Sequence, residues 1–427
     1  MSLTTNIKQV ILKPRILVML ILGFSAGIPL LMVFSTLSAW LKEAGVSRAE
    51  IGFASWVGLA YGFKYLWSPL VDKLKIPYLT DLLGRRRSWM LISQIGVIIG
   101  IMGMAYSDPK YMLTYSILFA VVLAFSSATQ DIVIDAFRID TGKQDEQAIM
   151  AALYVYGYRI AMLLSGAGVL YLTDTGANYD YEAWKRAYSY MALAILPCTV
   201  FVLFLLKEPI VETKTYENLN DFFNQAFVQP FADFFERYGK GFLILLGIAI
   251  TFRISDLLMA VMANPFYLEI GFTKTEIAFA VKTFGFWMTI IGLSLGGLLL
   301  SITGMRNTLI IVALLTASSN LLFSVISVIG NNLNFLVLTI MIDNLASGMA
   351  TTVFIAFLSS IVNKEFSATQ YALLSSFIML IPKFIAGYSG VIVDNIGYSW
   401  FWISTALAGI PTIIFIVMGS RLLNVNK

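Results

Sequence analysis

Twelve apolar stretches, each close to the roughly 20 residues an α-helix needs to cross a bilayer, occupy most of this 427-residue chain. They fall at 16–40, 50–70, 89–107, 112–138, 148–173, 184–206, 240–268, 275–302, 307–330, 333–360, 369–393 and 399–420. Hydrophobic residues make up 58% of the chain and charged residues 13%, too few charges to cover a soluble domain's surface. The expected class is therefore an all-α polytopic membrane protein.

Charge sets its orientation. With the N-terminus placed inside, and Lys185, Arg186 and Lys240 at span edges counted with their loops, 17 of the 29 Lys and Arg fall in cytoplasmic segments, 6 in outer loops and 6 within spans. The positive-inside rule then places both termini in the cytoplasm. Lys8, Lys13 and Arg15 precede the first apolar run without a persuasive cleavage site, so an uncleaved first helix is expected. The net charge of +4 gives no ground for a nucleic-acid partner, and Cys198, the one cysteine, excludes an intramolecular disulfide.

The longest hydrophilic stretch, 207–239, divides the chain into six spans over 1–206 and six over 240–427. Two such halves around a cytoplasmic linker are the layout of a secondary carrier. An internal echo agrees with this division. Gly45-Val46-Ser47-Arg48-Ala49-Glu50-Ile51 recurs 226 residues later as Gly271-Phe272-Thr273-Lys274-Thr275-Glu276-Ile277. In each copy a Ser or Thr stands three residues before a Glu, the pattern of a helix capping box. Gly pairs at i and i+4 (Gly23/Gly27, Gly58/Gly62, Gly96/Gly100, Gly292/Gly296) predict close helix packing. Trp40, Trp67, Trp89, Trp184, Trp400 and Trp402 lie near span ends, as an interfacial aromatic belt would.

The informative residues are ionisable groups inside spans: Lys64, Asp131, Asp135, Arg138, Arg159, Arg253, Asp256, Lys282, Asp343 and Lys383. At about 2.5–3.5 kcal/mol each, the set opposes insertion by roughly 25–35 kcal/mol. A structural bundle has little reason to carry that cost, whereas a wet cavity with a polar cargo does. The alternative role for each is an interhelical ion pair. By depth, Arg159, Arg253, Asp256, Asp343 and Lys383 lie mid-membrane, Lys64 and Asp131 lie deeper, and Asp135 and Arg138 approach the inner boundary.

Candidate cargo contacts are Tyr61, Lys64, Gln130, Asp131, Arg159, Asp343 and Lys383. The chain has no histidine, so a proton relay has to use carboxylates, with Asp131, Asp256 and Asp343 as candidates. Asp72 with Arg85, and Asp135 with Arg138, are candidate gate residues. No Walker loop, metal-ligand cluster or nucleophilic triad is present, so no enzyme activity, cofactor or metal is expected. Nothing in the sequence demands more than a monomer.

Five stretches carry a resemblance: Pro14-Arg15 through Phe34-Ser35, Gly62 to Pro69 followed by Gly84-Arg85-Arg86-Arg87, Ser127 to Ala136, Tyr158-Arg159, and Phe366 to Ser375. They are similar to the muropeptide permease (AmpG) family of the major facilitator superfamily. The resemblance implies that fold and a bacterial inner-membrane location. It also implies import of N-acetylglucosaminyl-1,6-anhydro-N-acetylmuramic acid, with or without its peptide, together with protons. Gly27, Ala128, Gln130, Asp131 and Asp135 match positions in that family's sensitive motifs. The six basic and four acidic groups within the spans leave acetyl-CoA or another anionic nucleotide-like cargo as the alternative.

Overall fold

The computed structural model describes residues 14–141, 147–176, 179–207, 228–362 and 367–423, and every regular element among them is helical. The main helices are, in chain order, α1 (Pro14–Val33), α2 (Ser35–Glu43), α3 (Arg48–Ala54), α4 (Arg85–Ala105), α5 (Pro109–Thr141), α6 (Gln147–Leu163) and α7 (Tyr181–Phe204). They continue as α8 (Gln229–Tyr238), α9 (Gly241–Thr251), α10 (Ile254–Ile270), α11 (Gly285–Ile329), α12 (Leu333–Ile361), α13 (Ser367–Ala386), α14 (Ser389–Leu407) and α15 (Ile410–Met418).

Among the described residues, nine continuous helical stretches are long and apolar enough to cross a membrane. One of them, Lys274–Ile329, runs for 56 residues, about 84 Å of helix against a hydrocarbon core of about 30 Å. It breaks at Gly304 (φ 76°, ψ 169°), a conformation open essentially to glycine alone, between the expected spans 275–302 and 307–330. The expected span 50–70 forms only in pieces: α3, 3-10 turns at Ser55–Gly58 and Lys64–Leu66, and short helices at Leu59–Phe63 and Ser68–Lys73. Gly58, Gly62 and Pro69 are poor helix formers, which fits the interruptions. The expected span 369–393 also breaks, between α13 and α14. Most of the expected linker, 208–227, lies outside the described residues, and its end is the amphipathic helix α8.

The chain forms two compact units, one of Met1–Val46 with Val57–Glu212, the other of Ser47–Trp56 with Thr213–Lys427. The short segment holding α3 thus packs with the second unit, although the sequence counts it in the first half. Both expected capping boxes form, Ser47 with Glu50 and Thr273 with Glu276. The turns before them match bond for bond. Val46 N–H donates to Leu41 C=O and Phe272 N–H to Tyr267 C=O, while Gly45 and Gly271 donate to Lys42 and Leu268. Local sequence therefore writes the same helix-turn-helix twice.

In the first unit, α1 and α6 pack with backbones almost touching. A Cβ on Gly23 would sit 2.0 Å from Tyr154 C=O, and one on Gly27 2.4 Å from Tyr158 C=O. In the second unit, Gly292 and Gly296 set α11 against α12 in the same way. Where lipid is as apolar as leucine, such backbone proximity is the main source of helix association.

Three of the six tryptophans correct the aromatic-belt expectation. Trp40, Trp184 and Trp402 are fully buried. Trp40 and Trp184 stack at 5.6 Å, Trp184 Nε1 donates to Glu43 at 2.7 Å, and Trp40 Nε1 donates to Tyr179. Burial, together with the hydrogen bond that Tyr179 donates to Asp108, holds the Tyr179 phenol above its ordinary range. A hydrogen-bonded indole can be buried as well as anchored at an interface, and residue type alone does not distinguish the two.

Candidate functional site

In the first unit, α5, α6 and the short helical pieces at Leu59–Phe63 and Lys64–Leu66 bring Tyr61, Lys64 and Asp131 near one another. Tyr154 Oη donates to Asp131 Oδ1 at 3.4 Å, and the Tyr154 and Tyr158 rings lie 5.9 Å apart. Lys64 and Asp135 lie close enough for their charges to act on Asp131, and Tyr61 sits between Asp131 and Ser127. Asp135 pairs with Arg138 at 3.5 Å, as the i, i+3 spacing suggested. Arg159 stands one residue beyond Tyr158, half-buried, and makes no hydrogen bond or ion pair among the described residues. The cluster around Asp131 thus combines a carboxylate, an ammonium group and phenols, with the Arg159 guanidinium near Tyr158.

Gln130 and Ala128 sit elsewhere on α5 and are fully buried. Gln130 Nε2 donates to Ser25 Oγ at 2.6 Å, Gln94 Nε2 reaches the same oxygen at 3.3 Å, and Ser25 Oγ donates to Leu22 C=O. One hydroxyl therefore ties α1, α4 and α5 together, and the Gln130 amide is occupied in that node. Replacing Gln130 with Ala leaves the node short of a donor in a buried site. It should cost about 1–3 kcal/mol, read as a lower melting temperature of the detergent-solubilised protein.

In the basic cluster Arg85-Arg86-Arg87, the second and third arginines make the contacts seen among the described residues. Arg86, buried, pairs with Asp140 at 2.9 Å at the end of α5. Arg87 donates to the carbonyls of Val202 (3.2 Å) and Leu203 (2.6 Å), capping the last turn of α7. Arg85 makes no such contact among the described residues, and the Asp72 side chain lies outside them. Helical phase held the signal, because Arg86 is four residues before the buried Met90.

In the second unit the chain interrupts its helix between α9 and α10, and Arg253 stands at the break (φ −107°, ψ 4°). Its Nε lies 3.3 Å from Asp256 Oδ2, and its Nη1 donates to Thr351 Oγ1 at 3.0 Å. Asp343, buried on α12, accepts from Ser319 Oγ at 3.0 Å and feels the charges of Asp256 and Arg253. Asp256 and Asp343 therefore share one network. Lys282 occupies a π-helical turn, Ala278–Phe284, and Lys383 is half-buried on α13.

The sequence reading passed over one further cluster in the second unit. Arg48 grips Glu269 through Nε (3.0 Å) and Nη2, and reaches Asp394 through Nη1 at 3.0 Å. Tyr398 Oη donates to Glu269 at 3.0 Å, and its ring lies under the guanidinium. The Glu269 hydrogen bonds hold the Arg48 guanidinium even above the usual arginine range. Backbone contact reinforces the grip, since a Cβ on Gly390 would lie 1.7 Å from Arg48 C=O. A double-mutant cycle of Arg48→Ala with Glu269→Ala should return a coupling of about 1 kcal/mol, measured by thermal unfolding.

A family model described as Major Facilitator Superfamily matches residues 19–254. A Rickettsia felis protein, "Putative transporter AmpG 4", is 34% identical over 414 residues, 96% of this chain and 98% of its own length. The "Anhydromuropeptide permease" of Escherichia coli K12 is 34% identical over 419 residues, 97% of this chain and 82% of its own. Among solved structures, a D-xylose-proton symporter aligns with TM-score 0.69 at 13% identity, over 99% of this chain and 98% of that one. A bacterial homologue of the lysosomal transporter Spinster aligns with TM-score 0.71 at 14% identity, over 96% and 98%. These two structures share the fold alone. The helical fold, the polar clusters within its spanning segments and these relatives lead to one statement: the chain is a multi-pass membrane transporter, not an enzyme, and belongs to the AmpG muropeptide permease family of the major facilitator superfamily.

Proposed function

We propose that this protein is a proton-coupled carrier that imports anhydro-muropeptides from periplasm to cytoplasm by alternating access. It would sit in a bacterial inner membrane with twelve spans in two six-helix halves and both termini cytoplasmic. The observation that carries the reading is the Arg159 guanidinium, next to Tyr158 on the helix whose Tyr154 donates to Asp131, with no hydrogen-bond or ion-pair partner among the described residues. A muropeptide offers what such a cluster lacks. Its carboxylates suit Arg159 and Lys64, and its sugar faces suit Tyr61 and the tyrosine pair; in the second unit, taken by itself, Lys383 and Asp343 are the proposed cargo contacts.

The proton would ride on Asp131, Asp256 and Asp343, because a chain without histidine has no other side chain suited to it. Two carboxylates around one Arg253 leave one negative charge in excess, which a proton can balance. Gln130, Ala128 and Gly27 would position the site through helix packing, and Asp135, Arg138, Asp72 and Arg85 would lie toward the inner gate.

Uptake of radiolabelled anhydro-muropeptide into proteoliposomes under an inward proton gradient tests this reading. Accumulation that an uncoupler abolishes is the expected result. Equilibration unaffected by the uncoupler would remove proton coupling and leave the cargo. Because an uncommitted arginine also suits an anionic nucleotide, acetyl-CoA is the second cargo to try.

A further inference from the structure

Arg253 is a cation within an expected span for which the sequence offered only an ion pair. It stands where α9 ends and α10 begins, so its side chain leaves a backbone that has stopped being regular helix. A guanidinium carries five N–H donors. Here Nη1 is fixed by Thr351, and Nε faces Asp256 Oδ2 at 3.3 Å. That approach is an ion pair without hydrogen-bond geometry, since Asp256 Oδ2 is buried and accepts no hydrogen bond among the described residues. Nη2 has no protein partner among them, and the side chain retains 20% of its exposure. Thr351 is itself anchored, donating to Ser347 C=O at 2.8 Å. The result is a guanidinium oriented at one end, loosely neutralised at its waist and open along its Nη2 edge.

We infer that Arg253 is the anion-recognition residue of the second unit, receiving a carboxylate of the cargo on its Nη2 edge, with Thr351 as the positioning residue. An arginine placed only to neutralise Asp256 would meet it with good hydrogen-bond geometry and leave no donor edge open. A carboxylate fits because its two oxygens match two parallel N–H bonds, which are stronger than neutral hydrogen bonds. The inference rests on the muropeptide reading, which supplies a cargo whose peptide ends in carboxylates.

The test is displacement binding to the full-length, detergent-solubilised protein with two ligands, the anhydro-muropeptide and its analogue with peptide carboxylates converted to amides. Wild type should prefer the carboxylate form by roughly 10- to 100-fold. Arg253→Gln should lose that preference while still binding the amide form. Arg253→Gln combined with Asp256→Asn removes both charges and guards against misfolding around an unpaired carboxylate. Thr351→Val should reduce the preference by about tenfold or less. A preference that survives in both Arg253 variants overturns the assignment and leaves the cargo reading intact. Equal loss of both ligands also overturns it, because that marks a structural role. Wild type that binds neither ligand brings down the cargo reading and this assignment with it.

Discussion

Asp131→Asn is expected to abolish concentrative uptake while sparing the fold. The change is nearly isosteric, and the Tyr154 hydroxyl that donates to Asp131 at 3.4 Å can donate to an amide oxygen as well. What disappears is a group that can be charged in one state and neutral in another. Asp131 lies among Lys64, Asp135, Tyr61 and Tyr158, so its charge is felt by most of the first-unit cluster. One net charge moved inward per cycle across about 100 mV is worth about 2.3 kcal/mol, roughly fifty-fold accumulation. In proteoliposomes, wild type should approach that ratio and Asp131→Asn should fall to about unity, while exchange of cargo across an equilibrated membrane persists. Accumulation by the variant equal to wild type would move the proton site to Asp256 and Asp343.

Gly27→Leu should be more damaging, and for a different reason. A Cβ at this position lies 2.4 Å from Tyr158 C=O and 2.8 Å from Ala161 Cβ. The nearest obstacle is backbone, so no side chain can swing aside and α6 has to move away from α1. That helix carries Tyr154, Tyr158 and Arg159, and it is also fixed by Gly157, whose Cβ would lie 2.0 Å from Leu20 C=O. Overpacking a tight site costs about 1–3 kcal/mol, and a backbone obstacle puts this one at the upper end or beyond. Uptake should fall to background, with a clear drop in melting temperature. Gly27→Ala should be the milder member of the pair. Wild-type uptake and melting in Gly27→Leu would contradict this close packing of α1 and α6.

Features governed by local chemistry were legible in the sequence. Apolar runs marked the nine stretches that, among the described residues, are long and apolar enough to cross a membrane, and the Ser47–Glu50 and Thr273–Glu276 caps formed as their spacing predicted, because a capping box depends only on residues three apart. The glycine pairs marked helix contacts for a similar reason, since a missing Cβ is useful mainly where something approaches. In the cluster around Asp131, intramembrane charge is costly enough to reveal itself.

Features that depend on tertiary placement were not legible. The Gln130 side chain belongs to a node built on Ser25 and Gln94, 105 and 36 residues away in sequence, and no spacing rule connects them. Arg48 looked like one member of an outer loop, and its partners Glu269 and Asp394 lie far along the chain. The break at Arg253 follows no glycine or proline, so nothing local announces it. Trp40 and Trp184 were assigned to the membrane interface because that is where unplaced tryptophans are commonly found, and their hydrogen bonds to Tyr179 and Glu43 permit burial instead.

Competition for uptake tests the assigned cargo most directly. Proteoliposomes containing the wild-type protein are loaded with radiolabelled anhydro-muropeptide under an inward proton gradient, with excess unlabelled muropeptide or acetyl-CoA outside. Uptake that is present, and suppressed by unlabelled muropeptide but not by acetyl-CoA, is the expected result. Absent uptake by a folded protein, or transport of labelled acetyl-CoA in its place, would contradict the muropeptide assignment.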